Sequence, residues 1–183
     1  LLMSKIGKKN IIIPKESSVK IEGDSLTITG PKGSKSLTIN DKIFSSKVSE
    51  NNEFQILPLN KKIDKKTSIM WGTYRSLINN AVMGVSQGHE KILNLSGVGF
   101  RANIKGEILN LQIGFSHDVN FNIPKEVKIT VEKQTTIKIN GVDKDLVSKI
   151  ASDIKNLKHV EPYKAKGITE KGQFILRKEG KKK

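Results

Sequence analysis

Ile13-Pro14-Lys15-Glu16, followed by Val19-Lys20-Ile21 and Leu26-Thr27-Ile28-Thr29-Gly30, is the stretch that decides the fold. It returns later, in the same order, as Ile123-Pro124-Lys125-Glu126, Val127-Lys128-Ile129 and Ile137-Lys138-Ile139-Asn140-Gly141. Each copy offers a proline ahead of a strand, an alternating strand, a short turn, a second alternating strand and a closing glycine. An ordered recurrence of that kind predicts two related domains.

A helix follows each copy. In the first, Met70, Thr73, Tyr74, Leu77, Ile78, Ala81, Val82 and Val85 fall on one arc at helical spacing, with Gly72, Arg75 and Asn79 on the polar side. Gly84 and Gly88 are expected to end it. In the second, Leu146, Val147, Ile150, Ile154 and Leu157 form the apolar stripe, and Asp143 is the expected N-cap. Period-two alternation marks further strands. Leu93 and Leu95 begin the second domain, Leu109, Leu111, Ile113 and Phe115 make one strand, and Ile104-Lys105-Gly106-Glu107-Ile108 reads as a hairpin turn. The expected fold is α+β: two related domains, each an antiparallel sheet packed against one helix, with basic N- and C-terminal tails. The expected boundaries are 1–86, 87–158 and a basic tail over 159–183.

Charge points to the partner. The 183 residues carry a formal charge of +15, and only Arg75, Arg101 and Arg177 among the 33 cations are arginines. Such an excess attracts polyanions, and lysine suits phosphate better than base edges. The two ends hold most of the surplus. Residues 158–183 have nine basic and three acidic side chains, and residues 1–20 have five and one. The tail is too poor in apolar residues to fold alone, so it is expected to be disordered when free and ordered on RNA.

Cysteine is absent, which excludes disulfides, thiol catalysis and thiolate-held metals. No apolar run approaches the roughly 18–20 residues that span a bilayer, so no membrane partner is expected. His89, His117 and His159 are dispersed and lack metal-binding spacing, and His117-Asp118 reads as a solvated loop. Gly30-Pro31-Lys32-Gly33-Ser34-Lys35-Ser36 lacks the ending of a phosphate-binding nucleotide loop. It reads as a turn between strands, with contact to RNA phosphate as the functional alternative. Gly97-Val98-Gly99-Phe100-Arg101-Ala102 matches GxGxxA, but Phe100, Ala102 and Ile104 continue as a strand where a dinucleotide site needs a helix. Its glycines then serve a bulge or a close backbone approach. No cofactor and no catalytic cluster is expected.

Pro162-Tyr163-Lys164-Ala165-Lys166-Gly167-Ile168 is the sharpest segment. Paired lysines neutralise phosphates, tyrosine stacks or hydrogen-bonds, and glycine permits close approach. The segment resembles the PYKGKGI signature of large ribosomal subunit protein six, the L-six family, in its bacterial and organellar form. Ser4-Lys5-Ile6-Gly7-Lys8 is similar to the family's opening. Further blocks agree in order: Gly30-Pro31-Lys32-Gly33, Trp71-Gly72-Thr73-Tyr74-Arg75-Ser76-Leu77, Gly97-Val98-Gly99-Phe100-Arg101-Ala102, Leu109-Asn110-Leu111, Gly114-Phe115-Ser116-His117 and the Arg177–Lys183 end. Three departures stand out. Ala165 replaces the family's glycine, Asp118 its proline, and Thr169-Glu170 puts an acidic charge next to the signature.

The resemblance implies a non-enzymatic protein docked on large-subunit rRNA. It would brace the factor-binding region near the sarcin–ricin loop, among neighbouring large-subunit proteins and close to the translational GTPases. Its implied rRNA-binding residues are Tyr163, Lys164, Lys166 and Gly167, then Lys171, Arg177, Lys178, Lys181 and Lys182. Lys5, Lys8, Lys9 and Arg75 complete the set, although Arg75 reads first as a solvated helix residue. Leu1 ahead of Met3 suits either a trimmed terminus or an unusual start codon of the kind some mitochondrial genomes use, and lysine far above arginine with many Ile and Asn suits an AT-rich genome. The favoured compartment is the mitochondrial matrix, with the bacterial cytoplasm as alternative. A free nucleic-acid chaperone and an RNA-modifying enzyme are the rival readings.

Overall fold

A computed structural model describes residues 4–49, 52–60 and 63–180. The chain divides into two units at Gly88/His89. The first holds β1 (Ile11–Ile12), β2 (Ser18–Glu22), β3 (Ser25–Gly30), β4 (Gly33–Thr38), β5 (Phe44–Ser49), β6 (Glu53–Pro58) and α1 (Lys65–Ser86). Its strands form two antiparallel sheets, ordered β2-β3-β4 and β1-β6-β5. The second holds β7 (His89–Ser96), β8 (Arg101–Lys105), β9 (Ile108–Gln112), β10 (Val119–Asn122), β11 (Val127–Glu132), β12 (Thr136–Gly141), α2 (Lys144–Asn156) and β13 (Gly167–Glu170). Its sheets run β11-β12-β7-β13 and β10-β9-β8, again antiparallel. Among the described residues each unit therefore has one helix and two small sheets, where alternation alone suggested one sheet.

The repeat is structural, but its register differs from the block alignment. Val19 faces Ile28 across β2–β3, and Ile129 faces Ile139 across β11–β12. Ile28 and Ile139 both stand two residues before the closing glycine. The equivalent of Val19 is thus Ile129, and no residues are inserted after the Ile-Pro-Lys-Glu blocks. The second copy is instead one residue longer at its hairpin, with Lys133-Gln134-Thr135 where the first has Gly23-Asp24. Strand pairing sets this, because a one-residue slip would turn every core side chain to solvent.

In the first unit α1 buries Trp71, Ile78, Ala81, Val82, Gly84 and Val85. Trp71, outside the arc read from periodicity, is 2% exposed, and its indole N–H donates to the Ile56 carbonyl at 2.7 Å. Thr73, placed on that arc, is exposed, and its hydroxyl donates back to the Ile69 carbonyl. Gly84 does not end the helix. It is buried within the last turns, and the turn out comes at Gly88 with φ 81°. Gly30 closes the repeat beneath the same helix end. A methyl there would lie 2.6 Å from the Val85 carbonyl oxygen, which already accepts the Lys32 N–H at 2.9 Å. The Gly30–Gly33 block is therefore a tight turn docked on the helix.

In the second unit Asp143 caps α2 as expected, accepting the Asp145 N–H at 3.1 Å. Val147, Ile150, Ala151 and Ile154 pack onto Leu93, Ile137, Ile139 and Ile168. Each fully buried aliphatic side chain contributes roughly 1.5–3 kcal/mol of transfer free energy. Phe100 joins this core ahead of β8. Its ring lies where methyls on Gly97 or Gly114 would be, at 2.9 and 3.1 Å. Gly97 of the GxGxxA block and Gly114 beyond it thus admit an aromatic ring, while Gly99 has open space around it and φ 77°, and Arg101 rather than Phe100 begins the strand.

Residues 159–183 were expected to be a tail without packing of its own. The structure corrects this for Gly167–Glu170, which form β13 on the edge of the larger sheet beside β7. Ile168 is fully buried there and Thr169 nearly so. Period-two analysis misses the strand because it is only four residues long and lies beyond a lysine-rich loop. Amide exchange in the free protein is expected to be slow at Ile168 and Lys171, whose N–H groups donate to the Lys158 and Ile92 carbonyls at 3.1 and 2.9 Å. Exchange at both sites as fast as in an unstructured peptide would restore the picture of a tail that orders only on its partner.

Candidate nucleic-acid interface

The lysine-rich segment is an excursion between α2 and β13, closed by its own backbone. The Glu161 N–H donates to the Lys166 carbonyl at 2.8 Å, and the Ala165 N–H donates to the Glu161 carbonyl at 2.9 Å. The Ile168 N–H joins the Lys158 carbonyl below. Tyr163, Lys164 and Lys166 are exposed on this closed loop, while Ala165 is buried. The loop therefore holds two ammonium groups and a phenol outward without ordering a partner first, which lowers the entropy lost on binding.

Two positions allow the closure. Ala165 has φ 54°, in the left-handed region where a side chain costs roughly 1–2 kcal/mol. Glycine, usual in the family, would avoid that cost. Burial of the Ala165 methyl group offsets part of it. Gly167 has φ 145°, and a methyl there would lie 2.7 Å from Val160 Cα and 2.8 Å from the His159 carbonyl oxygen. The close approach that this glycine permits is thus to its own chain. Gly167 is buried and shapes the loop.

Other expected contact residues fall into separate groups. The Lys178 N–H donates to the Pro162 carbonyl at 3.0 Å, which brings Lys178 back beside Tyr163. Lys171 and Arg177 are exposed along the same segment, and Lys181 and Lys182 lie outside the described residues. Glu170, expected to oppose phosphate, is ion-paired with Lys91 on β7. Its charge is met within the sheet.

In the first unit Lys5, Lys8 and Lys9 are exposed. Arg75 reaches from α1 to their segment, donating to the Lys9 and Asn10 carbonyls at 3.2 and 3.4 Å. Its observed work is to tie the N-terminal segment to the helix. Gly7 completes that contact, since a methyl there would be 2.6 Å from the Trp71 ring. The two blocks that open the chain and the helix are therefore packing partners.

One group escaped the sequence reading. The strand containing Leu109 and Leu111 stops at Gln112, and Gly114 turns with φ 77°. Phe115, placed on that strand by alternation, is instead 47% exposed. It lies near-parallel to the His117 ring and beneath the Lys158 ammonium. The signal was the glycine ahead of it, a φ > 0 residue that breaks a period-two run. Asp118, where the family has proline, accepts from the Asn110 side chain at 3.2 Å and so ties this loop to β9. Among the described residues no group of His, Asp and Glu is arranged to hold a metal, and no helix is long and apolar enough to cross a membrane.

Two sheet-and-helix units built on one repeat, the second bearing a closed cationic loop, define a duplicated α+β protein. The family model described as Ribosomal protein L6 matches the chain twice, over residues 13–88 and 96–171. The second match includes β13. The large ribosomal subunit protein uL6 of Novosphingobium aromaticivorans is 43% identical over 181 residues, covering 99% of this chain and 100% of that protein. Those of Beijerinckia indica and Phenylobacterium zucineum are 43% and 44% identical with the same coverage. The chain belongs to the L6 family of ribosomal proteins, a family of structural proteins and not of enzymes.

Proposed function

We propose that this protein is a structural constituent of the large ribosomal subunit. In this reading it binds large-subunit rRNA through residues 159–183 and the exposed lysines of its first unit, and contacts neighbouring large-subunit proteins. It braces the region near the sarcin–ricin loop where translational GTPases act. The observation that carries the reading is the Glu161–Lys166 loop, which holds Lys164 and Lys166 outward on a backbone fixed by hydrogen bonds. Phosphate contact supplies affinity through counterion release, and the rigid surface selects RNA shape. The similar proteins from Novosphingobium, Beijerinckia and Phenylobacterium favour a bacterial-type ribosome, and the mitochondrial matrix expected from composition gains no support from them.

The test is sedimentation. The protein should travel with large subunits through a gradient at salt concentrations that strip loosely held basic proteins. Release at moderate salt, with binding to any RNA offered, would favour a free nucleic-acid chaperone.

A further inference from the structure

Phe115 is an exposed aromatic residue that stands outside the buried core of its unit. Nearly half of it faces solvent, although the residues on either side of its loop, Ile113 and Val119, pack inward. Three features fix its presentation. Gly114, with φ 77°, turns the chain out of β9. Asn110 then holds the far side of the loop, donating to Asp118 at 3.2 Å and to Asn120 at 2.9 Å. Lys158 places its ammonium 4.5 Å from the ring centroid, within cation–π range.

The His117 ring lies 6.1 Å away, centroid to centroid, at an interplanar angle of 16°. At that separation two near-parallel rings are strongly offset and overlap little. They form a stepped aromatic platform more than a closed stack. With the Lys158 ammonium at the ring, 47% of Phe115 stays exposed and accessible to another planar group.

We infer that Phe115, His117 and Lys158 form a second RNA contact, on which an unpaired rRNA base stacks while Lys158 meets its phosphate. This deepens the rRNA-binding reading and rests on it. Lys158 links the platform to the lysine loop, because its carbonyl accepts the Ile168 N–H where the loop returns to the sheet. Exposed aromatics beside cations are the usual receivers of splayed bases in RNA recognition. The same cation makes an apolar protein surface a poorer match.

The experiment measures binding of the full-length protein to a large-subunit rRNA transcript across a salt series. Phe115→Leu keeps an apolar side chain but removes the π-face, and should weaken binding about tenfold with the slope of log affinity against log salt unchanged. Phe115→Trp should retain or improve affinity. Lys158→Ala should lower the slope by about one contact's worth. Melting curves for each variant establish that the fold survives.

Failure of the wild-type protein to bind the transcript would sink the ribosomal reading itself. Wild-type binding that Phe115→Leu leaves unchanged would overturn only the platform. A loss that appears in assembled particles and not with naked RNA would transfer the ring to a protein neighbour and likewise overturn it.

Discussion

Replacing Gly167 with alanine is expected to destabilise the second unit by about 4 kcal/mol, the sum of backbone strain and forced overpacking. The added methyl would meet Val160 Cα at 2.7 Å and the His159 carbonyl at 2.8 Å, neither of which can rotate away as a side-chain tip could. Relief requires the loop to lift from the sheet. That would pull at the Ile168 N–H bond to Lys158 and at the burial of Ile168. Against a typical total stability of about 5–15 kcal/mol, the loss is large. Urea denaturation of the free protein reads it directly. Gly172→Ala is the control, since Gly172 also has positive φ, at 84°, but open space around it. It should cost only about 1–2 kcal/mol. Equal effects at the two glycines would mean that Gly167 serves conformation alone and that the close approach to His159–Val160 is not a constraint.

Changing Lys164 and Lys166 together to alanine should separate binding from folding. Both side chains are exposed on a loop whose closure uses only backbone groups, so the variant should melt as the wild type does. Binding to large-subunit rRNA should weaken most at low salt. The slope of log affinity against log salt should fall by about 1–2, from two lost phosphate contacts at roughly 0.7–0.9 each. The Arg–Arg double variant should keep the slope, because the charge count is preserved. Unchanged affinity and slope in the alanine variant would remove this loop from the interface and leave the remaining cations of residues 159–183 to carry it.

These two expectations assign neighbouring residues to different work, and the sequence alone could not make that division. Gly167 and Lys166 stand side by side in one motif. Only the burial of the first and the exposure of the second distinguish a residue that shapes the loop from one available to a partner. The same holds for Arg75, read first as a solvated helix residue, whose guanidinium is held by the Lys9 and Asn10 carbonyls. Glu170 looked like a repulsive charge until Lys91 was found beside it.

The sequence by itself determined the duplication, the α+β class, the Asp143 cap and the apolar stripe of α2. These depend on short-range periodicity and on propensities that a few neighbouring residues carry. It also determined the segment where cations concentrate, because charge is additive and needs no fold to be counted. Only the tertiary structure decided that Gly167–Glu170 is a strand, since its pairing partner β7 lies some seventy residues earlier in the chain. It likewise decided that Val19 corresponds to Ile129, because register is fixed across a hairpin and not along it. Phe115 was assigned to a strand by alternation and released from it by Gly114, whose left-handed φ is a property of the backbone path. For β13 the deciding contact is distant in sequence, and local pattern carries no information about which distant surface a segment will meet.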